Sequence, residues 1–117
     1  TGVKLGLCTN KPEAATHQLL RDLNLHGFFH YIAGGDTFLV HKPHPDHVYG
    51  VISALEVSHK NCVMVGDSIN DVLAAHGAGI PCIVVRHGYS QDYEQLNADI
   101  IIDDFTELQG ALKYLGF

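Results

Sequence analysis

Cys62-Val63-Met64-Val65-Gly66-Asp67-Ser68-Ile69-Asn70-Asp71 is the stretch from which the fold of this 117-residue chain is read. Its first four residues are apolar without the alternation of a strand wet on one face, which predicts a strand over 62–65 covered on both faces. Gly66 lets the backbone turn, and Ile69, Val72 and Leu73 continue at helical spacing. A buried strand that ends in acid and feeds a helix is half of a strand–helix–strand unit.

The same unit repeats outward in both directions. Val3–Cys8 is a second apolar run, Thr9-Asn10-Lys11-Pro12 turns it into a helix carrying Ala15, Leu19, Leu20 and Leu23, and Gly27 is expected to end that helix. A short strand, Tyr31–Ala33, follows, then the loop Gly34-Gly35-Asp36, then a helix from Pro45 with Val48, Val51, Ile52 and Leu55 on one face. C-terminally, Cys82–Val85 and Ile100–Ile102 read as strands, and Phe105, Leu108, Leu112 and Leu115 stripe a last helix. Doubly apolar strands separated by helices predict an α/β fold: a three-layer parallel sheet with helices on both faces, joined by right-handed crossovers. Ligands of such sheets bind beyond the carboxyl ends of the strands, so the polar residues after each strand are the candidates for function.

Composition narrows the classes. Hydrophobic residues make up 46% and charged residues 17% of the chain, enough for a packed interior and too apolar for a disordered tail. A formal charge of -6 argues against a sequence-independent grip on nucleic acid. No apolar run approaches the roughly 18 residues of a membrane span. Cys8, Cys62 and Cys82 are odd in number and widely spaced, which reads as reduced thiols and a cytoplasmic location. The chain opens on Thr1 inside what reads as a buried strand, so it is expected to begin within a larger protein. Oligomeric state is not legible.

Three strand ends carry chemistry. Asp67 stands where its strand stops and Asp71 one helical turn on, so both carboxylates can face one point above the sheet. Mg2+ suits such a pair, because it binds through one or two carboxylates and keeps several waters while meeting phosphate oxygen. Asp67 or Ser68 is also placed to cap the helix that follows. Thr9 offers a hydroxyl and Asn10 an amide, and the helix near Pro12 points free N–H groups at the same spot, which makes an anion cradle. Lys42, in the loop after the second strand, supplies a compact positive charge for a phosphoryl group. His41, His44 and His47 recur at spacing three, but Pro43 and Pro45 interrupt them, so all three are expected to be solvated loop residues. Cys8 lies in an apolar strand without a base partner and is not expected to be a nucleophile.

In this order the three pieces resemble the second, third and fourth motifs of the haloacid dehalogenase superfamily of phosphatases. Gly6-Leu7-Cys8-Thr9-Asn10-Lys11-Pro12, Gly35-Asp36-Thr37, Lys42-Pro43-His44-Pro45-Asp46, Val65-Gly66-Asp67-Ser68 and His87-Gly88-Tyr89 are similar in wording to its bacterial phosphoglycolate phosphatase branch. The resemblance implies hydrolysis of a small phosphorylated metabolite through an aspartyl-phosphate. It implies that Thr9, Asn10 and Lys42 bind substrate, with Thr9 and Lys42 serving the reaction, and that Asp67 and Asp71, with Ser68 a weaker candidate, hold Mg2+. That family attacks with an Asp-x-Asp motif on its central strand, and this chain has none. Asp103-Asp104 comes nearest, but Phe105 holds the position two beyond Asp103; members of that family carry a similar acidic strand end late in the chain, so the resemblance implies that this acid pair caps the last helix. The expectation is the C-terminal part of a single phosphatase core, without cap domain or nucleophile strand and inactive on its own. A phosphoacceptor domain of the receiver type shares the length and sheet, but there the acidic pocket comes first and the Lys-Pro last, the reverse of the order here. A non-catalytic module binding only Mg2+ and phosphate is the third reading.

Overall fold

Each apolar run becomes a strand only where a neighbouring strand pairs with it, and the runs are trimmed accordingly. The computed structural model describes residues 3–86 and 93–117, so the His87-Gly88-Tyr89 stretch lies outside the described residues. In chain order the elements are β1 (Gly6–Cys8), α1 (Glu13–Asp22), β2 (Tyr31–Ala33), α2 (Pro45–Leu55), β3 (Met64–Gly66), α3 (Ile69–Gly77), β4 (Cys82–Val85), β5 (Ile100–Ile102) and α4 (Leu108–Tyr114). All pairings are parallel, as expected, but they form two sheets, β1-β2 and β3-β4-β5. Among the described residues no strand joins them.

The helices lie on both faces. Cys82 and Val84 of β4 pack with Val48 and Ile52 of α2 and Val72, Ala74 and Ala75 of α3, while the alternate residues Ile83 and Val85 pack with Ile102 and with Ala111 of α4. One turn round α2, Val51 and Leu55 cover Ala33, Cys8 and Tyr31 of the other sheet. A single helix therefore takes part in both cores: one stripe lies on β1 and β2, and the other packs with α3 into the cluster that includes β4. Lys4 adds a tether by donating to the Leu55 carbonyl at 2.8 Å.

Several expected boundaries move, each for a local reason. The strand predicted over 62–65 begins at Met64, because residues 59–61 wind into a 3-10 turn whose C-cap is Cys62. α1 ends at Asp22, not Gly27: Asn24 takes a positive φ of 59°, and Gly27 sits inside a 3-10 turn over 26–28. Phe105 belongs to a 3-10 turn before α4, and is exposed. Asp104 caps that turn through the Thr106 amide, whereas Asp103 pairs with Arg86 at 3.0 Å, so only one acid of the pair caps. The helix expected to carry Ile69, Val72 and Leu73 forms over Ile69–Gly77, with Val72 buried and Ile69 and Leu73 exposed.

Candidate active site

The acidic strand end is built by a helix cap. Ser68 is the N-cap of α3, and Asp71, its third residue, reaches back so that its Oδ2 accepts from the Asp67 amide at 2.9 Å and the Ser68 amide and hydroxyl at 3.3 Å each. This satisfies donors that a helix start leaves without partners. A side chain at Gly66 would overlap the Asp71 carboxylate, so the turn closes only around glycine. Asp71 is thus buried and committed to the turn, while Asp67 is exposed at its tip.

Lys42 completes the arrangement from the other sheet. Its Nζ donates to Asp71 Oδ1 at 2.5 Å, and both side chains are largely shielded from solvent. Burial pushes the Asp71 carboxyl up, but the Lys42 hydrogen bond and charge, with the Asp67 and Ser68 amides, outweigh it and hold the pKa below the ordinary carboxylate value. Lys42 is therefore no solvated loop residue. Its backbone carbonyl accepts from Asn10 Nδ2 at 2.8 Å, which ties the loop after β1 to the loop after β2.

Thr9 follows β1 directly, and its amide extends the ladder to the Ala33 carbonyl at 3.1 Å. Its hydroxyl oxygen accepts from the Lys11 amide at 3.1 Å, which fixes the turn. The helix start behind it is less open than expected, because the Glu13 amide donates to Asp36 Oδ1 at 2.7 Å. A carboxylate of this chain already occupies part of the cradle read from the sequence. Asp36 was legible only as a motif letter; its capping role, 23 residues away, needs the fold.

Thr9, Asn10 and Lys42 thus stand on the β1-β2 side and Asp67, Ser68 and Asp71 on the β3 side, all beyond the carboxyl ends of parallel strands. The Lys42–Asp71 pair joins the two groups. His47 corrects the histidine expectation: it lies on the inward side of α2, fully buried, with Nε2 2.9 Å from the Gly34 carbonyl. His41 and His44 are exposed as expected. Burial pushes the Cys8 thiol up to about 11, with Lys42 lowering and Asp71 raising it, so it is protonated at neutral pH.

The donor set fits a hard cation of modest protein coordination. Among the described residues no three His, Cys, Asp or Glu side chains cluster as a metal cage. Mg2+ needs no such cage: one or two carboxylates, waters and phosphate oxygens suffice. Asp67, exposed on a rigid turn, suits that role, and Asp71 is what makes the turn rigid.

Comparison with known proteins places the chain in a family. Residues 1–85 match the profile of the haloacid dehalogenase-like hydrolases. The phosphoglycolate phosphatase of Agrobacterium fabrum is 43% identical over 112 residues, covering 95% of this chain and 48% of that protein. A crystal structure of a predicted phosphoglycolate phosphatase from Haemophilus somnus 129pt superposes with a TM-score of 0.88 at 31% identity, over 95% of this chain and 50% of that one. CbbY from Rhodobacter sphaeroides, solved in complex with phosphate, matches with a TM-score of 0.81 at 33% identity, over 92% and 49% of the two chains. The chain spans about half the length of these relatives. No helix among the described residues is long and apolar enough to cross a membrane.

Proposed function

The chain belongs to the haloacid dehalogenase-like hydrolase family, and from that we propose that it supplies the charge-balancing half of a phosphatase site for a small phosphate monoester. The observation that carries this reading is the Lys42–Asp71 pair, shielded from solvent at the strand ends and hydrogen-bonded to Asn10 on one side and to the Asp67 amide on the other. The substrate proposed is 2-phosphoglycolate, on the strength of relatives that bear that name.

In this reading the chain is the C-terminal part of one core domain. The nucleophilic aspartate, which would form an aspartyl-phosphate, comes from the half of the relatives that this chain does not match. Lys42 offsets the negative charge of the phosphoryl group while Asp71 holds its ammonium in place. The Thr9 hydroxyl and the Asn10 amide orient phosphoryl oxygens. Asp67, backed by the Ser68–Asp71 cap, would hold Mg2+, which when bound stabilises charge on the transferred group. Donors fixed by protein–protein hydrogen bonds need no reorganisation when charge develops, which is why the rigid turn matters.

The test is hydrolysis of 2-phosphoglycolate by the complete protein, beside a panel of other monoesters. Asp67→Asn should abolish Mg2+-dependent turnover, and the 117 residues alone should show none. Undiminished activity in the variant removes Asp67 from the site; activity in the 117 residues alone removes the outside nucleophile.

A further inference from the structure

His47 is fully buried and, among the described residues, makes a single hydrogen bond, from Nε2 to the Gly34 carbonyl at 2.9 Å. A carbonyl only accepts, so the ring proton sits on Nε2. Nδ1, equally buried, has no hydrogen-bond partner among the described residues. The ring stands edge-on to Phe38, 5.5 Å between centroids. An apolar side chain could fill this space without stranding an acceptor, so what the imidazole adds is the hold on Gly34.

That hold is transmitted by close backbone contact. A side chain at Gly34 would overlap the Glu13 backbone and the Lys11 carbonyl, and one at Gly35 would overlap the Asn10 carbonyl. The Gly35 amide donates to Lys11 at 2.8 Å, and Gly34's own amide donates to Thr37 Oγ1 at 2.7 Å. The Gly34-Gly35 segment is therefore pressed against the loop that carries Asn10. Asn10 in turn binds the carbonyl of Lys42, whose loop leads into α2 and back to His47. The contacts form a closed ring: α2, His47, Gly34-Gly35, Asn10, Lys42, α2.

We propose that His47 is a positioning residue which, through the Gly34 carbonyl, sets where Asn10 stands relative to Lys42. The inference rests on the phosphatase reading only for its effect on turnover; the geometric claim stands apart from it. Small displacements of a positioning group cost up to about 100-fold in rate, so loss of the ring should be visible in kinetics.

The experiment uses the complete protein with Mg2+, p-nitrophenyl phosphate as substrate, and inorganic phosphate as competing ligand. His47→Leu removes the donor; His47→Gln keeps an N–H that can reach Gly34. His47→Leu should lower kcat/KM about tenfold or more, weaken phosphate inhibition and shift the Asn10 side-chain amide resonances. His47→Gln should recover most of all three, even where its Tm stays as low as that of the leucine variant. Equal behaviour of the two variants, or rates that follow only Tm, overturns the proposal. Unmoved Asn10 resonances in His47→Leu overturn it whatever the rates. Lys42→Ala with wild-type turnover would overturn the phosphatase reading instead, whatever the resonances.

Discussion

β4 and β1 are both short, apolar, parallel strands, and the structure treats them differently. All four residues of β4 are buried, with a strand on each edge and helices on both faces. Among the described residues β1 has one paired edge; its Gly6 is exposed and Leu7 and Cys8 are half-buried, and Leu5 just before it is 46% exposed. On β3, whose far edge is likewise unpaired among the described residues, Val65 is 38% exposed. An apolar run thus records what a strand is suited to, and its neighbours decide what it becomes. The site stands at the less covered strands on both sides: Lys42 follows β2 and the acids follow β3, the edge strand of the larger sheet.

The sharpest way to break the comparison is to truncate both strand types in the 117-residue chain. Ile83→Ala, at a fully buried position, should cost about 2–5 kcal/mol. Val65→Ala should stay within about 0.5 kcal/mol, as surface changes do. Urea unfolding measures both, and equal losses would mean that β3 is covered as well as β4.

Next in size is the bridge between the halves. Lys42→Ala in the complete protein should raise the barrier to hydrolysis by about 2.7–4 kcal/mol, the usual worth of one strong charged or donor group in such a site. Lys42→Arg should restore only part of this, because a planar fork does not replace a compact ammonium at Asp71. Wild-type rates in Lys42→Ala would leave the two halves chemically independent.

The smallest effect is set by acid. Asp71 has its pKa lowered in the fold, so its contribution is present above the ordinary value of 3.8 and is lost as pH falls through the lower folded value. Asp99 is also lowered: burial raises it, but the Cys82 amide and His76 outweigh that. Asp99 ties β4 and α3 within one sheet, whereas Asp71 ties the two sheets together. Below about pH 4, amides of β1-β2 should therefore lose hydrogen-exchange protection before those of β4. Simultaneous loss would mean that the Lys42–Asp71 pair is not what separates the halves in stability.

Short-range features were the legible ones. Tyr31–Ala33, Cys82–Val85 and Ile100–Ile102 emerge within the bounds read from their apolar runs. The helix from Pro45 was legible because Val48, Val51, Ile52 and Leu55 repeat at its period. The sequence did not disclose that these four residues serve two sheets, since one period describes both stripes. His47 was misread for a related reason: Pro43 and Pro45 mark where a helix starts, and a histidine just inside that start can face inward as readily as out. In the site, Ser68 and Asp71 are three residues apart and their cap is a local matter. Lys42 and Asp71 are 29 residues apart, and Glu13 and Asp36 are 23, so those contacts exist only once the strands are ordered.

The double role of α2 also dictates a sequence of events during synthesis. What its Val51 and Leu55 stripe covers, β1 and β2, has left the ribosome before α2 does. What its Val48 and Ile52 stripe covers, α3 and β4, is made only afterwards. The stripe of Val48 and Ile52 therefore has its partners only once residues 72–84 are made. Apolar surface left bare in this way is what makes a partly made chain prone to mispairing.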